Sequence, residues 1–158
     1  MVALSYYISP EDYLEGERLS PIKHEYRRGL VYAMVGAKKS HGIIASNFIT
    51  QLNLHLADRP CLVLSSDIKV RLPEADCYYY PDVVMTCDPQ DIQGDEDFIC
   101  APKIVIEILS KSTEKFDRTE KFIDYQTCPQ LEEYVLVSQT DQSVEVRTRQ
   151  GDEWQIQC

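Results

Sequence analysis

Lys103-Ile104-Val105-Ile106-Glu107-Ile108-Leu109 is the stretch on which the fold turns. It has strand length and is aliphatic on both alternating faces, the pattern of a central strand covered on each side. Glu107 alone interrupts it. An ionised carboxylate without a partner in such a strand costs several kcal/mol or takes up a proton, so something must compensate it. Alternation puts Glu107 on one face with Lys103, Val105 and Leu109, and turns Ile104, Ile106 and Ile108 to the other, the expected core side.

Working outward, Val83-Val84-Met85 reads as a short buried strand bounded by Pro81 and Pro89, with Asp82 at its start. A short connection favours antiparallel pairing with the Glu107 strand, and the start of one then lies beside the end of the other. Asp82 and Glu107 are therefore expected to converge. Two close carboxylates repel unless they share a proton or a cation, and a hard divalent ion, Mg2+ or Mn2+, is the usual solution. Downstream, a helix over 117–126, ended by Cys128-Pro129, spaces Asp117, Lys121 and Tyr125 at i, i+4, i+8 on one face. Lys121 can bring a positive charge to the acids from there.

The flanks supply the rest of an α/β chain. Ser9-Pro10-Glu11-Asp12 is a capped helix start, with an end near Leu19. Residues 25–35 read as strand or hairpin, ending at Gly36. From Ser40, taken as the cap, Ile44, Phe48, Leu52 and Leu56 with Ala45 and Ile49 mark a long amphipathic helix. Residues 61–72 alternate in part, Leu62, Leu64, Ile68 and Val70 against Ser65, Asp67, Lys69 and Arg71, as one half-buried strand. Glu74-Ala75-Asp76 is a turn, 88–97 a loop, and 110–113 another loop. Strands follow at 133–137 and 144–148 around a Thr-Asp-Gln-Ser turn, with a last short one at Trp154. Tyr78-Tyr79-Tyr80 is expected at an edge or interface rather than as a base-stacking platform. No repeat or linker divides the 158 residues, so a single domain over 1–158 is expected.

With 44% apolar and 27% charged residues, the composition is that of a globular chain, and no apolar run has bilayer-spanning length. The opening MVALSYYISPEDYLEG lacks a basic start, an apolar core and a cleavage site, so a cytoplasmic location is expected. Cys61, Cys77, Cys87, Cys100, Cys128 and Cys158 are expected as free, buried thiols. None forms a C-x-x-C pair, and the three histidines do not cluster with them. A net charge of −10 argues against a general DNA-coating protein. Arg27-Arg28, Lys38-Lys39, Lys111, Lys115, Arg118 and Lys121 could still line a local basic cleft, or be scattered solvated charges.

The order Glu25-x-x-x-Gly29, His41, Pro81-Asp82, Glu107-Ile108-Leu109-Ser110, Asp117-x-x-x-Lys121-x-x-x-Tyr125 and Glu133-Tyr134 resembles the Uma-two family, within the PD-(D/E)XK nuclease superfamily. The resemblance implies a restriction endonuclease-like α/β (α+β) fold, a central mixed sheet flanked by helices. It also implies a magnesium-dependent phosphodiesterase centre acting on nucleic acid, DNA in the first instance, and a homodimer. The superfamily's lysine usually follows the glutamate by two residues, where this chain has Leu109. In the Uma-two pattern it stands on the next helix, at Lys121.

Asp82, Glu107 and Lys121 are accordingly the catalytic candidates, with Asp82, Glu107 and the Ile108 carbonyl as metal ligands. Glu25, His41, Asp117 and Tyr125 are accessory. Each has a plainer reading: Asp82 as a backbone acceptor, Glu107 in a simple pair with Lys103 or Lys121, and Lys121 in a surface pair with Asp117. Glu25 could be a third metal ligand or hold a basic partner, but reads by sequence alone as an exposed strand acid, His41 as a structural histidine, and Tyr125 as a core side chain over Lys121. The corresponding alternative function is a non-catalytic nucleic-acid-binding or structural dimer.

Overall fold

The computed structural model describes residues 6–158; the first five, part of the opening stretch read above for a leader, lie outside the described residues. Helix α1 (Pro10–Leu19) starts where Ser9 accepts from the Asp12 amide and proline takes the first turn. Strands β1 (His24–Arg27) and β2 (Leu30–Ala33) form a hairpin. Its two turn residues, Arg28 and Gly29, both have positive φ, the two-residue turn that matches strand twist. Helix α2 (Lys39–His55) is followed by β3 (Leu62–Ser65), β4 (Lys69–Leu72), β5 (Cys77–Tyr79) and β6 (Val83–Thr86). Then come α3 (Pro89–Gln93), β7 (Phe98–Ile99), β8 (Ile104–Leu109), α4 (Glu114–Arg118) and α5 (Glu120–Gln126). Strands β9 (Glu133–Ser138), β10 (Val144–Gln150) and β11 (Glu153–Gln157) complete the order.

Two mixed sheets result. One has five strands in the order β2-β1-β5-β4-β7, the other six in the order β11-β10-β9-β8-β6-β3. Strand β8 is central in the second, antiparallel to β6 and parallel to β9, and it is covered on both faces. On one face Val105 and Leu109 join Val84, Tyr134 and Leu136 against Val70, Leu72 and Tyr79 of the other sheet, with Phe122 and Tyr125 of α5. On the opposite face Ile106 and Ile108 lie with Val83, Val135 and Val137 under Ile44, Phe48, Ile49 and Leu52 of α2. The face expected to carry the core is therefore one of two, and Glu107 points into the other.

Several expectations are corrected. Residues 61–72 are not one strand: the turn at Ser66-Asp67 sends β3 into the six-stranded sheet and β4 into the five-stranded one. Ile68 and Val70 resume the phase of Leu62 and Leu64 beyond Ser66, which conceals the turn. The expected helix over 117–126 is two short helices broken at Thr119, whose hydroxyl donates to the Lys115 carbonyl and competes with the backbone ladder. Helix α2 is capped from Lys38 with no side-chain acceptor, so Ser40 is not its cap. The loop at 88–97 contains α3, capped by Asp88 with Pro89 in its first turn, a signal as legible as that of α1. Cys77–Tyr79 form a strand of their own, β5, and its tyrosines are buried in the core rather than placed at an edge.

The cysteines are corrected too. Cys61 and Cys87 stand just beyond the antiparallel pair Leu62–Thr86, so the register sets them opposite each other, Cα to Cα 4.1 Å, and they form a disulfide. Twenty-six residues separate them, and only the strand pairing brings them together. Cys77 and Cys128 are buried free thiols as expected, whereas Cys100 and Cys158 are exposed.

Ile106 packs under α2 with 2% of its surface exposed. Ile106→Ala is expected to cost about 2–5 kcal/mol through lost contacts and a residual cavity, read by urea denaturation. A change within the scatter of surface substitutions would contradict the packing of α2 on this face.

Candidate active site

Strand pairing builds the site. Val83 opposes Ile106 and Val84 opposes Val105, so the register carried one residue further sets Asp82 against Glu107 on one face of the sheet. Asp82 fastens this end: its Oδ2 accepts from the Ile108 amide at 2.7 Å and its Oδ1 contacts Nε2 of His41 at 2.7 Å. His41 lies in the first turn of α2, which thereby reaches the sheet end. The hydrogen bond to Asp82 raises the proton affinity of His41, against the opposing effect of burial.

Lys121 enters from α5 on the Glu107 face. Its Nζ lies 2.9 Å from Glu107 Oε1, 3.1 Å from Glu25 Oε1 and 3.8 Å from Asp117 Oδ1. Glu25 Oε1 also accepts from the Tyr80 amide at 3.0 Å, which fixes β1 to the start of the crossover into β6. The expectations that Glu25 is an exposed strand acid and Lys121 half of a surface pair are both corrected. Lys121, Glu107 and Asp117 are each at most 4% exposed, and the Glu25 side chain is 17% exposed. The i, i+4 relation of Asp117 and Lys121 survives the break between their helices.

Charge does not balance within this group. Burial opposes the ammonium of Lys121, but Glu107, Glu25 and Asp117 outweigh it and hold its pKa well above the ordinary lysine value. Glu107 goes the other way. Burial pushes its pKa well above the carboxylate range, Lys121 pulls it down, and Asp117, Asp82 and Glu25 push it up again. Asp117 is raised as well, by burial first, against the pull of Lys121. One ammonium thus faces three acids, with Asp82 beside Glu107 as a fourth carboxylate. Moreover, the Glu107–Lys121 contact is close but not aligned for donation, so Oε1 of Glu107 is buried without a hydrogen-bond partner.

Tyr125 is wholly buried, with its hydroxyl also unpartnered, and it closes the core over Lys121 as the plainer reading expected. Tyr79 lies beneath the Lys121 amine, 5.1 Å from amine to ring centre. The basic cleft resolves into two sets. Arg27 and Arg28 are tied to the buried carboxylate of Asp124, Arg118 to Glu114 and Glu145, and Lys121 to the acids above. Lys38, Lys39, Lys111 and Lys115 remain exposed. Two supporting residues escaped sequence reading. Asp124 also accepts from the Tyr79 hydroxyl, and Gln139 donates to the Leu109 carbonyl at the end of β8. Nothing in their local sequence marks them. A cavity of about 330 Å³ lies between β3, α3 and β7, and none of the site residues lines it.

Among the described residues, no three His, Cys, Asp or Glu side chains form a ready metal-binding group. A metal here would rest on two carboxylates, backbone oxygen and water, a donor set that suits Mg2+, which commonly keeps several waters. The unpartnered Glu107 oxygen and the excess of acid over base fit such an ion.

The architecture is the restriction endonuclease-like α+β fold, with two mixed sheets flanked by helices. A crystal structure of "a putative nuclease belonging to DUF820" from Anabaena variabilis superposes with a TM-score of 0.76 over 94% of this chain and 83% of that one, at 18% identity. More particularly, residues 10–157 match the Uma2 family model, described as "Putative restriction endonuclease", and the chain belongs to that family. Two relatives from Synechocystis share 39% and 30% identity. The first, "Uncharacterized protein slr1290", aligns over 94% of this chain and 78% of its own length. The second, "Uncharacterized protein sll1609", aligns over 96% and 86%.

Removing Lys121 strips the ammonium that, among the described residues, contacts three buried or half-buried acids, so Lys121→Met is expected to destabilise the fold by about 3–5 kcal/mol. In a double-mutant cycle by urea denaturation, Glu107→Gln should recover roughly 1–3 kcal/mol of that loss. Strict additivity would show that the two groups do not interact.

Proposed function

We propose that the protein is a Mg2+- or Mn2+-dependent endonuclease that hydrolyses phosphodiester bonds of nucleic acid, DNA in the first instance. The observation that carries this reading is the buried, unpartnered oxygen of Glu107 opposite Asp82, amid more acid than Lys121 can neutralise. Asp82, Glu107 and the Ile108 carbonyl are the proposed ligands. Bound there, the divalent ion supplies Lewis acidity toward a phosphate oxygen and a lowered pKa for the attacking water.

The chain's own groups do the rest. Lys121, kept protonated by its acids, holds Glu107 in place and presents positive charge where negative charge develops on the phosphate. Glu25, pinned by the Tyr80 amide, fixes the Lys121 amine, and Asp117 adds a second anchor. His41 orients the Asp82 carboxylate from α2 and stands ready to donate to a phosphate oxygen. Tyr125 and Tyr79 exclude water behind the amine. This reading also takes the protein as cytoplasmic and homodimeric. No described helix is long and apolar enough to cross a membrane. Strand β2 is an outer strand of its sheet whose Leu30, Val31 and Tyr32 are exposed, a template for pairing with a second copy.

Purified protein incubated with plasmid DNA is expected to nick or linearise it with Mg2+ or Mn2+ and not with EDTA. Glu107→Ala and Lys121→Ala, assayed where their melting curves show folded protein, should lower the rate about 10²–10³-fold. Undiminished cleavage by either would reject its assignment.

A second reading, a non-catalytic nucleic-acid-binding or structural dimer, is favoured by the lack of a ready three-residue metal group among the described residues. It predicts DNA retention, or dimerisation alone, with no metal-dependent cleavage.

A further inference from the structure

The lysines sort into two classes by what they touch. Lys23, Lys69, Lys103 and Lys121 each contact a carboxylate. Lys38, Lys39, Lys111 and Lys115 make no ion pair among the described residues, and all four are exposed.

Their placement is the second observation. Lys38 and Lys39 open α2, immediately before the His41 that holds Asp82. Lys111 follows the end of β8, and Lys115 lies in α4 two residues before Asp117. Helix α2 covers one face of the six-stranded sheet, through Phe48 and Ile49 against Ile106 and Ile108. Phe116 of α4, with Phe122 and Tyr125 of α5, covers the other, against Val105 and Leu109. The two segments meet at the same sheet end. Ser40 donates to Gln139 at 3.4 Å, and Gln139 donates to the Leu109 carbonyl at 2.9 Å. The segments that carry the two lysine pairs therefore lie on opposite faces of the sheet at the end that holds the acidic centre.

We propose that Lys38 with Lys39, and Lys111 with Lys115, are two phosphate rails that grip the nucleic-acid backbone on either side of the bond presented to Asp82 and Glu107. The inference rests on the nuclease reading and adds to it the side chains that hold the polynucleotide backbone on both sides of the bond to be cut. The acidic body repels the polyanion elsewhere, so the rails confine binding to this end of the sheet. Arg27, Arg28 and Arg118, already committed to internal carboxylates, are not part of them.

The test is the salt dependence of binding, which counts phosphate contacts independently of catalysis. Binding of a fluorescein-labelled DNA duplex of mixed sequence is followed by anisotropy over a KCl series, in EDTA and again in Ca2+. Lys38→Gln/Lys39→Gln and Lys111→Gln/Lys115→Gln are each expected to reduce the slope of log affinity against log salt by about 1.8, at about 0.9 per phosphate contact. Lys23→Gln/Lys103→Gln, which alters lysines paired elsewhere, is expected to leave it unchanged. Equal slopes in all variants, or no duplex binding in either buffer, would overturn the rails. Plasmid cleavage with unaltered slopes would sink the rails and leave the nuclease reading standing. Lysine-dependent slopes with no metal-dependent cleavage would keep the rails and sink the hydrolysis.

Discussion

A single buried ammonium holds this end of the molecule together. Lys121 is placed by α5, but its contacts lie on β8 through Glu107, on β1 through Glu25 and on α4 through Asp117. Strand β1 belongs to the five-stranded sheet and β8 to the six-stranded one, so the amine ties the two sheets across their shared core. Buried charges of this kind are poor contributors to stability, because desolvation offsets most of the attraction. An aliphatic group at position 107 would pack there at less cost. The strand nevertheless carries an acid at a position only 3% exposed, which the proposed metal site would account for.

Asp82 performs the matching task on the other side of the centre. Its carboxylate takes the Ile108 amide with one oxygen and His41 with the other, and so joins β6, β8 and α2 where the strands end. Both oxygens keep lone pairs for a further ligand, since a carboxylate oxygen accepts more than one contact. The result is a frame in which, among the acids, the Glu107 oxygen is buried without a hydrogen bond. Asp82 and Glu25 are held by hydrogen bonds from backbone amides, Ile108 and Tyr80 respectively. Preorganisation of this sort suits a site that must bind charge without rearranging.

How much of this the chain discloses on its own depends on range. The Glu107 strand, its antiparallel neighbour and the facing of Asp82 follow from short connections and alternation, and the pairing of Val83 with Ile106 matches them. The amphipathic stripe of α2 is equally local and packs as its spacing requires. What local pattern cannot convey is which sheet a strand joins. The run 61–72 keeps a partial alternation while the chain passes between sheets, and Cys61 meets Cys87 only through the resulting pairing. Glu25 is the same problem within the site. An acid on a short hairpin looks solvated until β1 is seen packed beside β5, with the Tyr80 amide and the Lys121 amine converging on it. Lys121 itself was placed by family pattern, since its spacing to Asp117 alone describes a surface pair.

The account stands on the claim that the stranded acid at position 107 is there to share a divalent cation with Asp82. Diffraction from crystals soaked in Mn2+, collected near the manganese absorption edge, tests it directly. The account predicts one anomalous peak at bonding distance from both carboxylates and from the Ile108 carbonyl. Fully soaked crystals with no such peak, and with Glu107 still facing only the Lys121 amine, would contradict it.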